Sequence, residues 1–266
     1  PPYLELREVN YIPGKLTCIE SGAIHVMCIE RGLSILSQQG SMSMIVPLSL
    51  VSTQRMKSIQ IFMEKHGNVW YANYSWRPGK LFDTVNRALT IFVITYSKEK
   101  KIFSTKYQKW SSDNRNMLMH IMDYAELPNR TAFWIPKLSY SIECSILKKC
   151  LNIRTILINF MKSSEYKVFY RTTGGLYWKV FTNFSPAFKV NGNLGHSTRE
   201  TRFTLVSKEL VKPVIAVLSS DIFWWWYTIT TNCRDLNPYD IQNFPVPKEA
   251  LYDPNIISLG EKYLLD

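Results

Sequence analysis

Two runs of branched and aromatic residues constrain the fold of this 266-residue chain more than anything else in it. Residues 88–96, Ala-Leu-Thr-Ile-Phe-Val-Ile-Thr-Tyr, have the β-branched and aromatic content of a strand. Residues 42–46, Met-Ser-Met-Ile-Val, form a shorter apolar run closed by Pro47, which suits a strand buried in a sheet. Around them the apolar period becomes helical. Within 20–36 the spacing of Ile24, Met27, Cys28 and Leu33 predicts a helix, ended by Gly40. Within 53–65, Met56, Ile59 and Phe62 predict a second helix facing inward, with Gly67 as its C-cap. Residues 69–74 read as a further strand, and 75–80 as a polar loop. Helix–strand–helix–strand–strand is the order of an α/β layered domain.

The charged stretch Lys98-Glu99-Lys100-Lys101 marks a boundary, after which the texture changes. Short aromatic runs at 167–171 and 176–181 flank Gly174-Gly175, a hairpin signal. Residues 191–195 read as a loop, 212–229 as a helix and 243–247 as extended chain. We therefore expect one domain over 1–105 and an α+β domain over 106–266. Hydrophobic residues make up 46% and charged residues 20%, which supplies a core and excludes a disordered tail. The net charge of +11 suits a polyanionic partner, and its spread along the chain points to a folded surface rather than a basic arm. The five cysteines include no Cys-x-x-Cys, and the four histidines form no His-Glu-x-x-His. Reduced thiols in the cytoplasm, with no metal site, are the expectation. The most apolar window, 214–227, is too short for a membrane span of about 20 residues.

The chain opens on Pro1-Pro2-Tyr3. In amino-methyltransferases the motif Asn-Pro-Pro-Tyr supplies two acceptors to an exocyclic amine, whose lone pair is otherwise delocalised into the ring. A rigid proline loop holds them, and the aromatic stacks on a base flipped from the duplex. Downstream stand Glu20-Ser21-Gly22-Ala23-Ile24-His25, Cys28-Ile29-Glu30-Arg31-Gly32-Leu33, Gly40 to Pro47, Leu81-Phe82-Asp83-Thr84-Val85 and Ala88 to Ile94. In order and spacing this series resembles the gamma-class N6-adenine DNA methyltransferases of restriction–modification systems, type IIG-like enzymes in particular. That resemblance implies the C-terminal half of a Rossmann-like methyltransferase sheet, beginning inside the motif and continuing into a target-recognition domain. It gives Pro1, Pro2 and Tyr3 catalytic roles, with the Pro1 carbonyl on the amine and the base held between Tyr3 and Phe82. Phe82 reads equally as a core phenylalanine at a strand start. The motif's Asn and the glycine-containing loop that binds S-adenosyl-L-methionine belong to an upstream half of the same protein. The fragment is accordingly expected to be inactive alone, to bind the cofactor weakly and to expose a sheet edge.

The strings Val168-Phe169-Tyr170-Arg171, Gly174-Gly175-Leu176-Tyr177-Trp178-Lys179 and Asp240 to Pro247 are similar to target-recognition domains. Trp224, Trp225 and Trp226 are read as a core stripe. Arg77, Lys80, Arg171, Lys179, Arg199 and Arg202 are the cations placed against double-stranded DNA, on phosphates or base edges. Two alternatives stay open: a non-catalytic DNA specificity module, and an amino-methyltransferase acting on protein glutamine or RNA.

Overall fold

A computed structural model describes residues 3–10, 13–120, 122–128, 132–173 and 180–265, without the side chains of Met119 and Val190. Pro1, Pro2, Lys179 and the Gly174-Gly175 turn lie outside the described residues. The chain divides into two compact units, Pro1–Ser145 and Ile146–Asp266.

The first unit is α/β. Its elements are α1 (Ile24–Ser34), β1 (Ser41–Pro47), α2 (Ser49–Ser52), α3 (Lys57–Glu64), β2 (Gly67–Tyr74), β3 (Leu89–Tyr96), β4 (Ile102–Gln108) and β5 (Ala125–Glu126). The sheet order is β1-β3-β2-β4-β5. β3 pairs antiparallel with both β1 and β2, so those two run parallel to each other and are connected through α2 and α3. β4 pairs parallel with β2, and β5 pairs antiparallel with β4. The charged stretch 98–101 thus joins β3 to β4, and the sheet runs on past residue 105. β1 is the terminal strand of the described sheet.

The alternation of side chains along β2 and β3 separates two packing layers. On one face Val69 and Tyr71 stand beside Ile94 and Phe92, buried with Val26, Ile29, Ile59 and Met63. On the other, Ala72 and Tyr74 pack with Ile91, Leu81, Trp110 and Leu118, and Trp70 stacks on Phe103 at 5.0 Å. Asn73, fully buried at the end of β2, ties three strands together. Its Nδ2 donates to Ser104 Oγ and to the Thr105 carbonyl, each at 3.0 Å, and its Oδ1 accepts from Thr90 Oγ1 at 3.0 Å.

Two details depart from the sequence expectation. Helix α1 begins only at Ile24, because Ile19–Ser21 is a separate 3-10 turn and Gly22 takes φ 67°. Its buried stripe is Val26, Ile29 and Leu33 with Met27, while Cys28 is half-buried. Gly67 is the first residue of β2 rather than a helix cap. A Cβ there would strike the Thr95 carbonyl, so glycine permits the close approach of β2 to β3.

Helix α4 (Ser141–Leu151) carries the chain into the second unit, which holds β6 (Lys167–Arg171), β7 (Phe181–Thr182), β8 (Phe188–Val190), β9 (Asn193–Gly195), β10 (Glu200–Thr204), α5 (Val211–Leu218), α6 (Asp221–Thr230), α7 (Pro238–Gln242) and α8 (Pro254–Leu265). β10-β6-β7 form an antiparallel sheet, and β8-β9 form a separate hairpin in place of the expected loop. The expected single helix over 212–229 is two helices. Ser220 breaks it, its hydroxyl accepting from Phe223 N at 3.4 Å as the N-cap of α6. Of the expected extended stretch 243–247, Asn243 still caps α7 at φ -92° and ψ 7°, and Pro245 is bridged to Ile156. Trp226 joins the core edge-on to Phe244, and Phe223 sits between Phe181 and Phe244; Trp224 stacks on Tyr227 and, like Trp225, is half-buried.

Candidate nucleic-acid interface

In the first unit the interest lies where β1 and β2 end and β3 begins. Pro47 pairs with Leu89, and Leu89 with Tyr74, so the carboxyl ends of the two parallel strands share one edge. Ligands of open α/β sheets gather at that edge.

The segment carrying Tyr3 is pinned by backbone bonds. Ile24 N donates to the Leu4 carbonyl at 3.0 Å and Leu6 N to the Gly22 carbonyl at 2.7 Å, with Glu5 and Ala23 as a bridge. Glu5 grips Arg55 through both carboxylate oxygens, at 2.6 and 2.7 Å, and Arg55 also donates to the Ser21 carbonyl. The guanidinium hydrogen bond holds the Glu5 carboxyl below the usual range. Tyr3 is half-buried; burial raises its phenol pKa, offset by the positive charge of Arg87. His25, beside this segment, is 3% exposed and neither ring nitrogen has a hydrogen-bond partner among the described residues. Burial first, then the charges of Arg55 and Arg87, lower its pKa to about 4, against the opposing pull of Glu5. The stretch leading to α1 is clamped by Glu30, whose carboxylate accepts from Thr17 N at 2.6 Å, Thr17 Oγ1 at 2.8 Å and Cys18 N at 2.9 Å.

The loop between β2 and β3 is equally well held. Ser75 N donates to the Gln108 carbonyl and Gly79 N to the Trp110 carbonyl. A Cβ at Gly79 would meet the Trp110 ring at 2.8 Å, so the loop approaches that indole directly. Leu81 turns inward onto Tyr74 and Trp110, which leaves Phe82 41% exposed. Arg77 is exposed, its guanidinium 4.2 Å over the Trp76 ring. Lys80 is half-buried, and Asp83 is paired with Arg115. Tyr3 lies within the electrostatic reach of Arg87, which closes the loop bearing Phe82 at the start of β3. Arg87 was not among the sequence candidates, since an isolated loop arginine has no local signature.

In the second unit the structure brings three of the four expected cations together. Arg171 ends β6 opposite Glu200 of β10, and Arg202 lies opposite Phe169. Thr172 N and Oγ1 both donate to the Arg199 carbonyl, at 2.8 and 3.0 Å. Arg171, Arg199 and Arg202 are all exposed. The opposite face of this sheet, with Val168 and Tyr170, is buried. The cations of the outer face are thus supported by a packed inner face.

No protein-family model matches the chain, and no curated protein matches it. Among solved structures, a cryo-electron microscopy structure of a DrdV–DNA complex is similar to it at 10% identity and a TM-score of 0.36, over 58% of this chain. The matched region spans 17% of that chain.

Proposed function

We propose that this chain is the C-terminal part of a site-specific DNA methyltransferase that transfers a methyl group from S-adenosyl-L-methionine to adenine N6 in duplex DNA. The observation that carries the proposal is the shared sheet edge. The loop bearing Phe82 leaves β2 where the two parallel strands end, Arg87 closes that loop before β3, and Tyr3 lies within the electrostatic reach of Arg87. Tyr3 and the exposed Phe82, on segments that both adjoin Arg87, suit a flat heterocycle taken out of its stack. Arg77, Lys80 and Arg87 supply positive charge for the adjoining phosphates.

Within this reading, Tyr3 stacks on the base and Phe82 closes from the other side. The Pro1 carbonyl accepts one amine hydrogen, drawing the nitrogen lone pair out of conjugation. The cofactor would supply an electrophilic methyl group when bound. Arg171, Arg199, Arg202 and Lys179 meet the DNA from the second unit. The role is restriction–modification or phage defence.

The test is methyl transfer by the full-length protein, with radiolabelled cofactor, to duplex DNA, RNA and a release-factor protein in parallel. Label in adenine of duplex DNA is the expected outcome. Label only in protein or RNA assigns the other amino-methyltransferase class, and DNA binding without transfer leaves a specificity module.

A further inference from the structure

The second unit carries a structural element that its core does not use. Among the described residues strands β8 and β9 pair with each other alone, and the two-residue turn between them is Asn191-Gly192, at φ 51° and 82°. Two successive positive φ values match the twist of a tight hairpin, so the turn sets the register of the ribbon. Its faces are set by the register. Lys189 stands beside Leu194, and Phe188 beside Gly195, with the Phe188 ring laid over the glycine. Both faces meet solvent: Leu194 is 67% exposed, Phe188 47%, and Lys189, Asn191 and Asn193 are exposed as well. Leu194 and Phe188 thus present apolar surface on the two faces of the ribbon.

The base of the ribbon is built into the cationic sheet. Ser185 donates to the Glu200 carboxylate at 2.8 Å, and His196 Nδ1 lies 3.3 Å from the Pro186 carbonyl. Glu200 opposes Arg171, and Arg199 is held to Thr172. The ribbon is thus tied to the strand opposite Arg171 through the Ser185–Glu200 bond.

We propose that the Phe188–Gly195 hairpin enters a groove of duplex DNA, with Arg171 and Arg199 on the phosphates at its root. The inference rests on duplex DNA being the partner. A two-stranded ribbon fits the major groove, and its side chains reach base edges there. Leu194 contributes apolar contact, of the kind a thymine methyl accepts, and Lys189 reaches a phosphate or a guanine edge. Phosphate contacts at the root set the register without adding sequence information. Charge complementarity favours DNA over a second protein: Lys189, Arg171, Arg199 and Arg202 are exposed, while of the neighbouring acids Glu200 is engaged by Ser185 and Asp235 is paired with Arg234.

The experiment uses the full-length protein and two fluorescein-labelled duplexes, one carrying its mapped methylation site and one scrambled. Leu194→Ser is expected to weaken binding to the site duplex about tenfold while changing the scrambled duplex little. Lys189→Ala is expected to lower the salt slope of binding by about one. Thermal midpoints stay at the wild-type value, because both side chains are exposed. Wild-type affinity and salt slope in both variants would overturn the proposal. So would an oligomer that Leu194→Ser dissociates, which makes the ribbon a subunit contact. If wild-type protein binds neither duplex, the DNA partner itself is wrong; if it binds and the variants match it, only the hairpin assignment fails.

Discussion

Replacing Asn73 by alanine tests whether the sheet edge is braced as described. The side chain is fully buried and makes three hydrogen bonds of 3.0 Å, to Ser104, Thr105 and Thr90. Each net bond contributes about 1 kcal/mol, and stranding a buried partner costs about 1–3 kcal/mol. The Thr90 hydroxyl loses its partner, while the Thr105 carbonyl keeps the Ser104 hydroxyl at 3.3 Å, so the expected loss is about 2–4 kcal/mol. For a domain of this size that lowers the melting midpoint by roughly 2–4 °C per kcal/mol. Equilibrium urea unfolding of the intact protein, with an unchanged denaturant slope, reads the free energy directly. Thr90→Val strands only Asn73 Oδ1 and is expected to cost about 1–2 kcal/mol. The double variant then falls short of the sum, because the two side chains share a bond. A loss below about 1 kcal/mol for Asn73→Ala, or strict additivity, would refute the network.

Three further outcomes are expected from the buried polar groups and the tight backbone contact. His25 has a folded pKa of about 4, below its ordinary 6.5, so the unfolded state takes the proton first. Stability is therefore intact above pH 6.5, falls by about 1.4 kcal/mol per pH unit down to about pH 4, and levels off below; His25→Phe is expected to remove that step in pH-dependent unfolding. The Glu30 carboxyl is raised by burial, but the stronger pull of its bonds from Thr17 and Cys18 leaves it lowered overall. Its contribution is present above the ordinary carboxylate range and is lost as pH falls through the folded value; Glu30→Gln is expected to cost about 2–3 kcal/mol at neutral pH, measured by the same unfolding. Gly67→Ala drives a methyl into the Thr95 carbonyl and is expected to cost several kcal/mol, seen as a lost or sharply lowered melting transition.

Strands β1, β2 and β3 were legible because a buried strand needs a run of branched and aromatic residues, and those runs sit within two residues of the observed strands. β4 was hidden. Its sequence, Ile-Phe-Ser-Thr-Lys-Tyr-Gln, looks polar, yet Ser104 and Thr105 are buried because Asn73 satisfies them from the neighbouring strand. No single segment announces such an arrangement. The β8–β9 hairpin did have a local signal, Asn-Gly between Phe-Lys-Val and Asn-Leu-Gly, which the run of small polar residues obscured. The break at Ser219-Ser220 likewise reflects N-capping by serine, although the apolar period continues across it. For the candidate site, residue types were legible but company was not. That Tyr3 has Arg87 as a neighbour, and that Arg171 and Arg199 adjoin, depends on strand pairing across long separations.

Methylation of adenine by a base pocket containing Tyr3 is tested most directly by a map of modified bases in DNA from cells expressing the intact protein. The expected map shows N6-methyladenine at one fixed sequence, abolished by Tyr3→Ala. Modification confined to cytosine, no modified base at all, or an unchanged map in Tyr3→Ala would contradict it.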